Sequence, residues 1–184
     1  LWPCFNGLRR NPRDQLKLGL LTAQRPGQIA SMRWEDIDFG EALWFVNQGA
    51  PASHHLIPLS HQVLAILQER RDSEPRRVRL TANGYVFASF YNTQKGATSG
   101  HAAPPNKARR KVSEAAGVHN WTASDLRRTA IVLMSRLRIP EHIRQRILTP
   151  STTRSSLGHT AFDYLDEKRT ALQALGDEIE LITS

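Results

Sequence analysis

Cysteine and metal-ligand patterns are scarce in this chain of 184 residues. Cys4 is its single cysteine, so no disulfide can form within the chain, which fits a reducing cytoplasm. One thiol also excludes a cysteine-rich zinc site. The seven histidines show no ligand spacing, since His54 and His55 are adjacent rather than one helical turn apart. We therefore expect neither a metal nor another cofactor.

Membrane and export signals are missing as well. No apolar run approaches the roughly 20 residues that a membrane helix requires. The first residues, LWPC, lack the charged and apolar regions of a signal peptide. They also lack an initiating Met, which indicates a piece of a longer protein. The sequence thus predicts a cytoplasmic protein with no membrane partner.

Negative charge is in short supply. Lys and Arg number 25 against 17 Asp and Glu, which leaves a formal net charge of +8 and a pI near 10.4. A basic surface favours a polyanionic partner, because bound phosphates release their counterions. A basic protein with no role on nucleic acid stays open on charge alone. The hydrophobic content of 40% is ordinary and predicts one domain with a real core.

Periodicity predicts a mainly helical domain with a small antiparallel sheet, an α+β fold. Two strands are expected at Leu43–Val46 and His55–Leu59, around a turn of Gly, Ala and Pro at 49–51. A short strand-like stretch follows at 84–87. The predicted helices cover about 14–24, 29–36, 60–67, 106–116, 124–137, 140–148 and 161–182.

Two arginines lie where the helical pattern makes them candidates for a cleft. Arg25 ends an apolar helix and precedes Pro26 and Gly27, which break that helix. Arg127 lies on the polar side of another apolar helix, two residues after Asp125. Each can equally be a surface arginine, the second with a local Asp–Arg pair. Neither position is decisive alone.

Six segments, in order along the chain, resemble the tyrosine recombinases, the phage-integrase family. They are LLTAQRPGQIASMRWEDID (20–38), IPLSHQVLAIL (57–67), GYVF (84–87), WTASDLRRTA (121–130), RIPEHIRQRIL (138–148) and YLDEKRTAL (164–172). The last is most similar to integrases of prophages and genomic islands. The resemblance implies the family's catalytic-domain fold over residues 1–184, without its amino-terminal DNA-binding portions. It also implies a last helix, 161–184, that packs in cis or in trans.

The resemblance implies a specific chemistry on double-stranded DNA. In this family a tyrosine hydroxyl attacks a phosphodiester, forming a 3′-phosphotyrosyl link and freeing a 5′-hydroxyl. Two arginines hold the non-bridging oxygens without a metal, because planar guanidinium forks match phosphate. By resemblance these are Arg25 and Arg127, which we predict lie close in space. Site-specific recombination and integration, a bacterial or phage origin, and self-association as a tetramer on DNA are implied too.

Other positions of the resemblance are substituted. The family's His-x-x-Arg box has Ser124 in place of its histidine, and that hydroxyl can still donate to a phosphate oxygen. A hairpin lysine usually acts as general acid, but residues 47–56 contain none. That role then falls on a histidine such as His55, or on no residue. Lys95 is a distant substitute, and a surface lysine is the better interpretation.

The segment that carries the nucleophile in this family can be aligned with the present sequence in two ways. In the favoured one, Pro150 stands where the family has His or Trp, and His159 stands where it has the tyrosine, nine residues later as usual. The competing alignment takes residues 157–159 as the family's LGH box and Tyr164 as the nucleophile. Tyr164 can equally be an aromatic anchor for the last helix.

Three functions stay open at this point. The first is a site-specific recombinase with a partly degenerate active site. The second is a DNA-binding protein, or a relic, that keeps the recombinase fold without cleavage. The third, a generic basic RNA-binding helical domain, explains the charge but not the ordered series of segments.

Overall fold

A computed structural model of the chain describes residues 1–47, 54–73, 84–88, 100–149 and 164–184. These ranges contain eight α helices and one three-stranded sheet. The helices are α1 Trp2–Phe5, α2 Arg10–Thr22, α3 Pro26–Ala30, α4 His61–Ser73, α5 Asn106–Ala116, α6 Ala123–Arg136, α7 Glu141–Leu148 and α8 Leu165–Thr183. The strands are β1 Ile37–Asp38, β2 Leu43–Asn47 and β3 His54–Pro58. The expectation of a mainly helical α+β fold is confirmed.

Helix α2 is the centre of the fold. Its leucines Leu16, Leu18 and Leu21 are buried, and the helix contacts α3, α4, α6 and α8. Burial of apolar side chains is the main stabilising contribution in such a core. Helix α2 is therefore covered by several other helices.

The sheet is antiparallel in the order β1-β2-β3. In the β2–β3 pair, Trp44 lies opposite Ile57 and Val46 lies opposite His55, and all four side chains are buried. Helix α8 packs against β3. The two predicted strands are confirmed within a residue at each end, whereas the predicted turn at 49–51 lies outside the described residues. The register fixes His55 on an inward-facing position.

Two helix boundaries lie beside a residue that adopts positive φ. Helix α2 ends at Thr22 rather than at residue 24, since Ala23 has φ 55° and is left-handed. The last helix begins at Leu165, and residues 161–163, where its start was expected, lie outside the described residues. Tyr164 has φ 56°, and a right-handed helix cannot continue through that conformation.

Helix α8 packs on the body of the domain. Its buried residues Leu172, Leu175 and Ile179 face a surface formed by α2, α6, α7 and β3. Gly176 allows a close approach to α4, because an added Cβ would lie 2.3 Å from Oε1 of Gln62. Among the described residues, no helix combines the length and apolarity needed to cross a membrane.

A buried ion pair ties α4 to α2. Arg70 is 1% exposed; its Nη1 donates to Oδ2 of Asp14 at 2.7 Å. Nη2 donates to Oδ1 of Asn11 at 2.7 Å and to the carbonyl of Val86 at 2.9 Å. A buried charge needs such partners, since an isolated one is strongly disfavoured. This arginine, which begins a polar stretch of sequence, is part of the core.

Candidate phosphate-binding site

Arg25 lies at the junction of α2 and α3. Left-handed Ala23 turns the chain, and Pro26 opens α3 with a φ that suits a first helical residue. Between them Arg25 is extended, and its backbone N–H donates to Oε1 of Gln28 at 3.1 Å. The residue is exposed, and no described group accepts a hydrogen bond from its guanidinium. The guanidinium is therefore available to an external anion.

Arg127 reaches the same junction from α6. Its Nη1 donates to the carbonyl of Ala23 at 2.8 Å, and its Nη2 donates to the carbonyl of Leu148 at 2.9 Å. Burial lowers the pKa of Arg127, and the positive charge of Arg25 lowers it further. The proximity of the two arginines stays a prediction, which the contact of Arg127 with Ala23, two residues before Arg25, supports. Arg127 stays protonated at neutral pH because an arginine pKa starts above 12.

The nearest carboxylate in sequence does not neutralise Arg127. Asp125 accepts hydrogen bonds from the hydroxyl and the backbone N–H of Thr122, at 2.8 and 2.7 Å, and pairs with Arg128. These contacts, with the Thr122 hydroxyl first, lower the pKa of Asp125 to about 2. The local Asp–Arg pair that the sequence suggested therefore exists, but Arg128 forms it.

Ser124 precedes Arg127 by one helical turn. Residues three apart on a helix are surface neighbours, so the two side chains lie on adjoining parts of one face. Ser124 is exposed in the first turn of α6. A hydroxyl there can donate to an anion that Arg127 holds.

His55 is buried in β3, with 3% of its surface exposed. Its Nε2 lies 2.9 Å from the carbonyl oxygen of Ile147 and must carry the proton, because a carbonyl only accepts. Burial lowers the pKa of His55 to about 4, although the bond to Ile147 opposes that shift. The positive charges of Lys168, Arg127 and Arg25 also contribute to the lower pKa.

This state argues against His55 as the general acid, which was one of the alternatives that the sequence left open. The imidazole is neutral at pH 7, because its pKa is about 4. Its single ring proton is bound by the Ile147 carbonyl, so it is not held ready for a leaving oxygen. The geometry instead gives His55 a positioning role, in which it fixes the end of α7 to β3.

Two residues of the site were missed by sequence reasoning. Lys168, in the first turn of α8, is 3% exposed, and its Nζ donates to the carbonyl of Leu56 at 2.9 Å. Gln24 is 1% exposed and donates to the carbonyl of Ile147 at 2.9 Å. The usable signal for Lys168 was its spacing, since it precedes buried Leu172 by four residues on one helical face. Its charged neighbours made it look like a surface residue.

Three positively charged side chains and the neutral His55 form what we call the cationic cluster. They are Arg25, His55, Arg127 and Lys168. The cluster lies at the carboxyl end of α7, where helix carbonyls carry partial negative charge and attract cations. Among the described residues, no carboxylate is a cause of the pKa shifts of His55 or Arg127. The cluster thus has an excess of positive charge and is suited to an anion.

Tyr164 lies in a different environment. Its ring meets the ring of His142 edge-on at 5.6 Å, and the guanidinium carbon of Arg146 is 5.7 Å from its centroid. Both partners belong to α7. The backbone N–H of Lys168 donates to the carbonyl of Tyr164 at 2.9 Å, but no described contact joins the ring of Tyr164 to the cationic cluster. His159, Pro150 and Lys95 lie outside the described residues. The two alignments of the nucleophile therefore stay as predictions.

Comparison with solved structures finds the same fold elsewhere. The integrase from mycobacterium phage Brujita superposes with a TM-score of 0.66 at 16% identity, over 94% of this chain and 55% of that one. A XerA recombinase gives a TM-score of 0.49 at 18% identity, over 91% of this chain and 61% of that one. The chain thus spans little more than half the length of either protein. Curated protein sequences contain no match to it.

The sequence itself carries a family match. Residues 10–153 match the sequence profile of the phage integrase family. The matched range includes both arginines of the cluster and ends before His159 and Tyr164. This match covers well over half of the chain, and the recombinase fold agrees with it. The chain therefore belongs to the phage integrase family.

Proposed function

We propose that the cationic cluster binds a phosphodiester of double-stranded DNA, and that the protein is a DNA-binding member of a site-specific recombination family that does not itself cleave the strand. One observation carries this proposal. Arg25 and Arg127 act on each other electrostatically in a region where no described carboxylate offsets them. Such a region is stabilised when an anion binds, because the mutual repulsion of the cations is then screened.

The two arginines have different tasks in this proposal. Arg127 is held by carbonyls of Ala23 and Leu148, so its plane is fixed before DNA arrives. Those bonds use two of the five N–H donors of a guanidinium, which leaves others for phosphate oxygens. Arg25 is exposed and closes on the phosphate from solvent. A preorganised donor combined with an adaptable one suits bidentate phosphate binding.

Two observations favour DNA binding over strand cleavage. Neutral His55 donates its proton to a backbone carbonyl, which supports no role as general acid. Tyr164 packs on His142 and Arg146, which supports the anchor interpretation. An active recombinase with Tyr164 as nucleophile remains the competing proposal, since the family match supports recombination in general.

The source of the protein, its place of action and its self-association are also proposed from the family. The segment YLDEKRTAL (164–172) supports a prophage or another mobile element as the source, and hence a cytoplasmic site of action. Leu181 and Ile182 near the end of α8 are 75% and 57% exposed, which supports self-association on DNA. Sedimentation of the protein with and without duplex DNA measures self-association. A protein that stays monomeric on DNA would contradict the proposed self-association.

Replacement of Arg127 tests phosphate binding. Arg127→Ala is expected to weaken binding of a short duplex by about tenfold to a hundredfold, as lost charge-assisted hydrogen bonds imply. The slope of log affinity against log salt should fall in magnitude by about one. Arg127→Lys is the control, since it keeps the charge and loses the fork. Unchanged affinity and slope in Arg127→Ala would contradict the proposal.

A nicked duplex separates binding from cleavage. We expect the protein to bind this substrate without forming a covalent adduct that survives denaturing electrophoresis. An adduct that is absent in Tyr164→Phe would instead establish a recombinase that uses this tyrosine. An adduct that persists in Tyr164→Phe would place the nucleophile at another residue and would also refute the binding-only proposal.

A further inference from the structure

We propose that Lys168 is a positioning residue of the phosphate site, which supplies from the start of α8 a buried positive charge that the β2–β3 hairpin lacks. This inference rests on the proposed function. The sequence between residues 47 and 56 contains no lysine, so the hairpin itself cannot supply an ammonium. Lys168 brings one to strand β3 from α8, 112 residues later in the chain.

The geometry connects Lys168 to the strand that carries His55. Its Nζ donates to the carbonyl of Leu56 at 2.9 Å, and Leu56 follows His55 directly in β3. His55 in turn donates to the carbonyl of Ile147 in α7. Strand β3 therefore links two helices. Lys168 binds it to the start of α8, and His55 binds it to the end of α7. Arg127 binds the next carbonyl of α7, that of Leu148.

Three positively charged side chains act on His55 from different parts of the fold. Lys168 faces it from α8, Arg127 from α6, and Arg25 from the start of α3, and all three lower its pKa after burial itself. The ammonium of Lys168 is 3% exposed, so solvent screens its charge poorly. The ammonium therefore attracts a phosphate bound by Arg25 and Arg127 strongly, although it does not contact that phosphate.

Substitutions of Lys168 can separate the charge from the hydrogen bond. Lys168→Gln keeps an N–H donor for the Leu56 carbonyl and removes the charge, whereas Lys168→Met removes both. The adjacent Arg169 gives a matched control. It is half-buried on the same helix, and its Nη1 donates to the carbonyl of Glu41 at 3.1 Å. Arg169→Gln lowers the net charge of the protein by the same amount outside the cluster.

Two measurements test the inference. Titration of His55 in the free protein by NMR should give a higher pKa in Lys168→Gln than in the wild type or in Arg169→Gln. Binding of a short duplex should weaken about threefold to tenfold in Lys168→Gln and less than twofold in Arg169→Gln. Lys168→Arg, which keeps the charge, should lie near the wild type in both. Lys168→Met should also unfold at a lower temperature than Lys168→Gln.

Several outcomes would overturn the inference. One is a Lys168→Gln protein whose His55 pKa and duplex affinity match those of Arg169→Gln. Another is a shifted His55 pKa with unchanged affinity, which would leave Lys168 no role at the phosphate. Should Lys168→Gln fail to fold, a Lys168→Arg protein that folds but binds duplex as weakly as Arg127→Ala would refute a role based on charge. Failure of the proposed function is distinguishable, because Arg127→Ala would then bind duplex normally.

Discussion

Two arginines hold helices together in this domain, and only one of them is neutralised by the fold. Arg70 donates to the carboxylate of Asp14 at 2.7 Å in the core. Arg127 donates to two carbonyls, those of Ala23 and Leu148. Both side chains fix the relative positions of elements distant in sequence. They differ in that the charge of Arg127 has no described carboxylate beside it.

The difference separates a structural arginine from a binding one. A buried cation with a carboxylate partner is satisfied within the fold and gives no reason to bind a ligand. A cation that only carbonyls hold keeps its net charge, and other cations nearby raise the local potential. Hydrogen bonds to carbonyls therefore orient the guanidinium of Arg127 without neutralising its charge. Burial of an arginine alone would not have distinguished these two sites.

Removal of Arg70 is expected to have the largest effect. Arg70→Met removes one of the two guanidiniums that donate to buried Asp14 at 2.7 Å and leaves the other, Arg13. The loss is expected to be about 3 kcal/mol of unfolding free energy, the lower end for a broken buried ion pair. Arg127→Met leaves no carboxylate behind and should cost about 1–2 kcal/mol, the net value of its hydrogen bonds. Urea unfolding followed by tryptophan fluorescence measures both.

A double variant sharpens this prediction. Arg70→Met with Asp14→Leu replaces the ion pair by apolar groups and should recover part of the lost stability, because no buried carboxylate remains. The folded fraction of Arg70→Met should bind duplex like the wild type. Equal losses of stability in Arg70→Met and Arg127→Met would contradict the distinction between the two arginines.

Sequence alone could identify Arg127 but not Arg70. The motif WTASDLRRTA (121–130) singles out Arg127, and the leucine spacing of α2 predicts the helix against which it packs. Arg70 begins a polar stretch, and its burial depends on Asp14, 56 residues away, which no local pattern reveals. Periodicity reports which face of an element is apolar, but not which distant carboxylate meets it.

The states of the remaining site residues also depend on tertiary packing. His55 was a candidate acid by its position, and its neutral state follows from burial and from the positive charges of Lys168, Arg127 and Arg25. Lys168 has acidic and basic neighbours in sequence, and only the packing of α8 on β3 shows that it is buried. The resemblance to a family thus located the arginines, whereas their electrostatic surroundings required three-dimensional structure.

The cluster should make stability depend on pH through His55. The pKa of His55 is lowered from 6.5 to about 4, so between these values the unfolded chain binds a proton that the folded chain does not. The stabilising contribution is therefore fully present above pH 6.5 and is lost as the pH falls to about 4. At 1.36 kcal/mol per unit, the loss is at most about 3 kcal/mol.

Unfolding free energies at several pH values, for the wild type and for His55→Gln, measure this contribution. The difference between the two proteins should shrink as the pH falls from 7 to 4, because the variant lacks the titrating group. Parallel pH profiles would show that the cluster does not hold His55 neutral, and the electrostatic contrast with the Arg70 site would then be lost.

Replacement of Arg25 is expected to have the smallest effect on the fold and a clear effect on binding. Its guanidinium is exposed and has no hydrogen bond to a described residue, so Arg25→Ala should change the unfolding free energy by no more than about 0.5 kcal/mol. Duplex affinity should fall about tenfold, and the salt slope should decrease in magnitude by about one, since one phosphate contact is lost. Fluorescence anisotropy at several salt concentrations measures both, with Arg25→Lys as the charge-preserving control. A stability loss in Arg25→Ala as large as that of Arg127→Met, with affinity unchanged, would make Arg25 a second structural arginine and leave Arg127 without a partner on the phosphate.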